Sequence, residues 1–235
     1  ELIRKNAYDF IVNAVGILNQ KAEDDIPQAI KINTYLPHLL EKQTSHLKTC
    51  IIHISTDCVF SGANGNYHES SFKDGSSWYD RTKALGELDN SKDLTIRTSI
   101  IGPELKNDGI GLFHWFITNT HDMIHGYTSA FWSGVTTLEL AKSIDWFSKN
   151  YFTGIVHLTN NEKISKYHLL ELINQAFLKK NREIVPKETP NIDKSMINTR
   201  RELIGLIPTY YDMINNLKIW MNKNKNRYAH YTIKE

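Results

Sequence analysis

Cys50-Ile-Ile-His-Ile-Ser55, followed at once by Thr56 and Asp57, is the stretch on which the fold turns. It is too short for a helix and rich in β-branched residues, and the turn-rich Ser61-Gly-Ala-Asn-Gly-Asn66 follows it, so it reads as a buried strand. Three other runs share this character: Tyr8–Val15 closed by Gly16, Leu94–Ile101 before Gly102-Pro103, and Gly154–Thr159. Helical signals lie between them. Asp24, Asp25 and Pro27 start a helix with apolar positions Ile30, Leu36, Leu39 and Leu40, which Pro37 is expected to kink. Ser76–Leu88, Leu112–Ile117 and Thr136–Phe147 read as further helices. Ser165 caps a strongly periodic helix through Leu169, Leu170, Ile173 and Phe177. A polar stretch then runs to Arg201, a last helix spans about Thr209–Met221, and the tail from Asn222 reads as a frayed end.

Buried strands alternating with helices make βαβ units, hence an α/β fold with a doubly wound, Rossmann-like parallel sheet. In such sheets ligands bind beyond the C-terminal strand ends. Here those ends are Asn13-Ala14-Val15-Gly16, Ser55-Thr56-Asp57 and Thr98-Ser99.

The 235 residues are 40% hydrophobic and 23% charged, which suits a globular chain. A net charge of +2 gives no basic surplus for a nucleic acid, and no apolar run is long enough to cross a membrane. Cys50 and Cys58 have no disulfide-scaffold or metal spacing, so a reduced, cytoplasmic protein is expected. His38, His46 and His53, and the group His114, His121 and His125, show no metal spacing either. Trp115, Phe116, Trp146 and Phe147 are expected in the core.

Tyr79 and Lys83 stand four residues apart on a helix and so share a face. A neighbouring ammonium favours the phenolate and brings a tyrosine toward the working pH range, where it can trade protons. Ser55 or Thr56 could complete the site with a hydroxyl on the substrate oxygen. The spacing alone is no more than chance supplies from 11 tyrosines, and an exposed i,i+4 pair is the plain alternative.

Context sharpens the reading. His53-Ile-Ser-Thr-Asp-Cys-Val-Phe-Ser-Gly62, Tyr67-His-Glu69, Tyr79-Asp-Arg-Thr-Lys-Ala-Leu-Gly-Glu87 and Arg97-Thr-Ser99 resemble the extended short-chain dehydrogenase/reductases. Among these the chain is most similar to the dTDP-4-dehydrorhamnose reductase branch, with Asn13-Ala-Val-Gly16, Asn33, Leu138-Glu-Leu-Ala141 and Gly154-Ile-Val-His-Leu158 fitting the same pattern. The resemblance implies reduction of the C4 ketone of a nucleotide-linked 4-keto-6-deoxyhexose by NADPH or NADH. It implies Tyr79 as proton donor, Lys83 as holder of the nicotinamide ribose and tuner of Tyr79, and Thr56 as hydrogen-bond partner of the keto oxygen. Asn13, Ala14, Val15, Ser55, Ser99 and Ile100 would line the cofactor. Asp57, Cys58, Ser99 and Trp132 would approach the substrate, although Cys58 reads equally as an inert packed thiol and Trp132 as lobe packing.

The resemblance further divides the chain into a dinucleotide-binding part, residues 1–124, and a substrate lobe, residues 125–235, with about 135–160 packing back on the first. The glycine-rich first βαβ segment of that family has no match here, and the chain opens on Glu1. That segment is expected to be missing from the sequence, which bears on cofactor binding. The nucleotide sugar is the expected partner, without nucleic acid or membrane, and a homodimer is left open. Two alternatives remain: a nucleotide-sugar 4,6-dehydratase or epimerase, and a non-catalytic subunit of reductase-like fold. Cys58 stands where a dehydratase-like Thr-Asp-Glu would carry its acid, which favours reduction.

Overall fold

The computed structural model describes residues 8–234. In chain order it contains β1 (Phe10–Asn13), α1 (Asn19–Asp24), α2 (Ile26–Ala29), a π-helical stretch (Ile30–Tyr35), α3 (Leu36–Thr44) and β2 (Cys50–Thr56). A 3-10 turn (Asp57–Val59), α4 (Trp78–Leu85), β3 (Leu94–Thr98), β4 (Ile100–Ile101) and α5 (Leu112–Thr118) follow. The rest comprises β5 (Met123–Tyr127), β6 (Ala130–Trp132), β7 (Val135–Thr136), α6 (Thr137–Asn150), β8 (Gly154–His157), β9 (Ile164–Ser165), α7 (Lys166–Phe177), β10 (Glu183–Lys187), β11 (Ile192–Asp193) and α8 (Tyr210–Lys223).

The main sheet is parallel, in the order β1-β2-β3-β8, with Val12 beside Ile52 and Ile52 beside Leu94. All five residues of β3 are buried, as a parallel strand covered on both faces requires. The fold is therefore α/β with a Rossmann-like sheet. The residues beyond it form a β5–β10 pair, a β11-β6-β9 sheet and the packed helices α7 and α8. One apolar cluster spans both regions, from Ile52, Leu94 and Ile96 to Phe113, Leu169 and Phe177. Phe113 and Phe177 meet edge to face at 4.9 Å.

Several expectations need correction. β1 is at the edge of the sheet among the described residues, and Val12 is 46% exposed, so this strand is not buried on both faces. Pro37 lies in the first turn of α3 and does not kink a continuous α-helix; the preceding residues widen into the π-helical stretch. Proline has no N–H and its ring crowds the carbonyl four residues back, here that of Asn33, which a wider turn relieves. The Ser76–Leu88 helix is shorter, starting at Trp78 behind its Ser77 cap, with Asp80 completing the capping box, and ending at Gly86. A Cβ at Gly86 would collide with the Asn33 carbonyl oxygen, so only glycine lets these segments approach. The third strand breaks at Ser99, and β4 leaves the sheet to pair with β7.

The chain end differs most. The polar stretch before Arg201 contains β10 and β11, and the tail is not frayed. Tyr231 is buried, its hydroxyl lying 2.7 Å from His114 Nδ1 and accepting from the Glu104 N–H at 2.9 Å. Removing that hydroxyl strands two polar groups. Tyr231→Phe should lower unfolding free energy by about 1–3 kcal/mol in urea titrations; an unchanged midpoint would show that the tail adds nothing.

Candidate active site

The site is built where β2 ends. Thr56, the last residue of β2, accepts a hydrogen bond from the Cys58 N–H and donates to Asp57 Oδ1, each at 3.1 Å. Its hydroxyl lies near that of Tyr79 on α4, close enough to oppose the rise of the phenol. One turn along α4, the Lys83 Nζ donates to the Ile54 carbonyl of β2 at 2.7 Å. The structure thus brings Thr56, Tyr79 and Lys83 to one end of the sheet.

What holds α4 there is Asn33, which is fully buried in the π-helical stretch. Its Oδ1 accepts from the Ile17 N–H at 2.8 Å. Its Nδ2 donates to the Ile17 carbonyl at 2.9 Å and to Thr82 Oγ1 at 3.1 Å. One amide therefore ties the loop after β1 to the helix that carries Tyr79 and Lys83.

The electrostatics differ from the expected pairing. Burial raises the Tyr79 pKa, and the Cys58, Asp57 and Asp80 groups add to the rise while the Thr56 hydroxyl opposes it. Lys83 was expected to lower it; burial outweighs any such effect, and Tyr79 is a protonated phenol at neutral pH. Lys83 itself is lowered to about 8 by burial, with Glu87 opposing. Burial and the adjacent Asp57 push the Cys58 thiol up to about 12. Burial likewise raises Asp57.

The remaining expected residues divide. Ala14 and Val15 are exposed where β1 ends, and Ile100 is exposed where the chain leaves β3. Asn13 is buried, its Nδ2 lying 3.1 Å from His53 Nδ1. The Ser55 hydroxyl donates to Glu87 Oε1 at 2.7 Å and is occupied there. The Ser99 carbonyl accepts from the Val135 N–H at 2.9 Å, fixing the exit from β3. Trp132 is buried, its ring 5.6 Å from that of Tyr210.

Two features were not singled out from the sequence. The first is a buried ionic knot: Arg97 donates through Nε to Glu87 Oε1 at 2.7 Å and through Nη2 to Oε2 at 2.8 Å. Arg97 Nη1 also donates to the Glu69 carbonyl at 3.0 Å. The regular spacing Tyr79, Lys83, Glu87 was the available signal. The second is Lys194, which follows β11 and comes near Cys58, Asp57 and Asp80, whose charges raise its pKa against burial. No sequence pattern announced it, because its approach depends on Asp193 N–H bonding the Gly62 carbonyl.

A phenol and a hydroxyl gathered at a strand end, with an ammonium one helical turn away, define a short-chain dehydrogenase/reductase type of site on this sheet. The model of the RmlD substrate binding domain matches residues 1–198, and the chain belongs to that family. Solved structures agree. A hypothetical dTDP-4-dehydrorhamnose reductase from Sulfolobus tokodaii is 25% identical with a TM-score of 0.71, over 84% of this chain and 74% of that one. A dTDP-4-dehydrorhamnose reductase from Clostridium acetobutylicum has a TM-score of 0.82 at 21% identity, over 94% and 84%. One from Bacillus anthracis in complex with NADP has 0.80 at 19%, over 93% and 83%. No curated protein sequence matches the chain.

His53, beneath this site, is fully buried, and burial followed by the Lys83 charge lowers its pKa to about 3. As pH falls below 6.5, the unfolded chain protonates this histidine while the folded one does not. Stability should therefore fall between pH 6.5 and 4, by up to about 1.4 kcal/mol per pH unit from this group. Urea unfolding at pH 7 and pH 5 tests this: His53→Asn should flatten the slope, and an equal slope would refute the assignment.

Proposed function

We propose that this site reduces the C4 ketone of a nucleotide-linked 4-keto-6-deoxyhexose with NADPH or NADH. The observation that carries the reading is the convergence of Thr56 at the end of β2 with Tyr79 and, one turn further along α4, Lys83, whose Nζ donates to the Ile54 carbonyl of β2 at 2.7 Å. The donor set suits the cofactor: an ammonium has three N–H donors and Lys83 gives one to Ile54, leaving capacity for a ribose diol. The exposed ends Ala14-Val15 and Ile100 offer the surface along which the nicotinamide would lie. We assign residues 1–124 to the cofactor half and 125–235 to the substrate lobe, with 135–160 returning to the first.

A nicotinamide held there by Lys83 would supply a hydride to the ketone carbon. Tyr79 gives its phenolic proton to the ketone oxygen, so that C=O becomes C–OH, and takes a proton back from solvent. A phenol kept protonated by burial is the correct starting state for that transfer. Thr56 holds the oxygen toward Tyr79, and Lys83 fixes the ribose. Dehydration is disfavoured, because Cys58 offers only a thiol pushed up to about 12 where an acid is needed. Asp57, Cys58 and Ser99 remain beside the proposed sugar position. No helix among the described residues is long and apolar enough to cross a membrane, and both cysteines are free thiols, consistent with the cytoplasm as the location.

Tyr79→Phe keeps the ring and removes the proton, so kcat should fall roughly 10²–10⁴-fold with KM nearly unchanged. Lys83→Met should weaken both rate and cofactor binding. Cofactor oxidation followed at 340 nm with a dTDP-4-keto-6-deoxyhexose is the assay, and undiminished turnover by Tyr79→Phe would remove the assignment. Trp78 and Leu85, seven residues apart on α4, are exposed apolar side chains that a homodimer would cover. Leu85→Glu should then convert a dimer to a monomer in light scattering; a wild-type monomer would exclude the assembly.

A further inference from the structure

Tyr79 is the second residue of α4, so its backbone N–H belongs to the first turn and has no acceptor within the helix. Its neighbours are answered at the helix start itself. The Asp80 N–H donates to the Ser77 hydroxyl and the Arg81 N–H to the Ser77 carbonyl, each at 3.0 Å. The Tyr79 N–H donates instead to Glu23 Oε1 of α1 at 3.2 Å, across 56 residues of sequence. A carboxylate suits that place, because aligned peptide dipoles leave partial positive charge at a helix start.

The ring of the same tyrosine leans toward the same helix. Tyr79 shares a buried cluster with Ala22 of α1 and Ala29 of α2, both fully buried, and Ile17 and Cys58 pack against it. Ala22 and Glu23 are adjacent, so one turn of α1 serves both the packing around the ring and the backbone N–H behind it. The support is itself fixed, since Asn33 bonds both the N–H and the carbonyl of Ile17, just before α1. Thr82 and Lys83 secure α4 further along, to Asn33 and to Ile54. Glu23 holds it at Tyr79.

We propose that Glu23 is a positioning residue of the site: by accepting the Tyr79 N–H, its carboxylate sets the start of α4 so that the phenol faces the ketone oxygen beside Thr56. This inference rests on the reductase reading for its purpose. Glu23 touches no reacting atom and acts through the Tyr79 backbone. A shift of the first turn would carry the phenol with it, while Thr56 stays on β2. A misplacement of about 1 Å can cost roughly 10²-fold in rate, so turnover is affected more than substrate binding.

Glu23→Ala removes the acceptor, whereas Glu23→Gln keeps a carbonyl oxygen at the same reach. In the cofactor-free protein, hydrogen exchange followed by NMR should show the Tyr79 amide exchanging at least about tenfold faster in Glu23→Ala and near the wild-type rate in Glu23→Gln. With reduced nicotinamide and a dTDP-4-keto-6-deoxyhexose, kcat should fall roughly 10–10²-fold in Glu23→Ala with KM within about twofold, and Glu23→Gln should recover most of the loss. Rescue by glutamine separates positioning from a loss of charge. Should Glu23→Ala fail to fold, Glu23→Met keeps the bulk without an oxygen acceptor and carries the same comparison. Unchanged Tyr79 exchange in the acceptor-free variant, wild-type kcat in it, or a Glu23→Gln equally impaired would overturn the proposal. Failure of the reductase reading would appear separately, as wild type that oxidises no cofactor with any 4-keto sugar.

Discussion

The buried pair of Glu87 and Arg97 is the interaction on which the rest of this structure depends. Arg97 is 1% exposed and Glu87 is nearly as deep, so neither charge would survive there alone. Burial pushes the Glu87 carboxyl up while Arg97 pulls it below the ordinary range, and the pull prevails. A buried ion pair seldom adds much stability over apolar packing, but it is exacting about geometry. Both oxygens of Glu87 are engaged and three of the Arg97 nitrogens have partners, including His157 Nε2 at 3.2 Å. The pair therefore acts as a locator for β2, β3 and the end of α4.

The same logic extends outward through polar groups that replace apolar packing under the site. His53 is fully buried on β2 and stays neutral, bonded to Asn13 at the end of β1. Asn33 secures the loop after β1 to Thr82. Glu69, reached by Arg97 through its carbonyl, accepts from the Thr199 hydroxyl at 2.7 Å and so draws in the segment after β11. Each contact joins residues distant in sequence, and together they keep the strand ends from drifting while the apolar cluster beneath supplies most of the burial energy.

Much of this was legible in the sequence, and the failures have physical causes. β2 and β3 were readable because each is a short, β-branched-rich run bounded by turn residues. α7 was readable because Ser165 caps it and its apolar residues recur at helical spacing. β10 and β11 were not, because Glu183–Lys187 is half exposed and carries a proline, so neither run nor alternation marks it. The tail from Asn222 looked solvated because its composition is polar, yet Tyr231 anchors it through two hydrogen bonds and His230 through a third to the Glu104 carbonyl, which composition cannot register. At the site, Tyr79 and Lys83 were visible from spacing and motif. The rise of Tyr79 was not, because burial decides it and burial belongs to the folded chain.

Reduction and dehydration of a nucleotide sugar differ in how many protons the protein must manage. Reduction asks for one proton at the ketone oxygen; dehydration also asks for an acid to expel a hydroxyl. Around the strand end here the titratable groups are Asp57, Cys58, Tyr79, Asp80, Lys83 and Lys194. Asp57 is committed to Thr56, and Cys58 keeps its proton and lies near the Lys194 ammonium. Asp80 closes the capping box with the Ser77 N–H at 3.2 Å. Lys83 is directed at β2. Tyr79 is the group left with a transferable proton and a hydroxyl partner that can share a substrate oxygen, and one such group is what reduction requires.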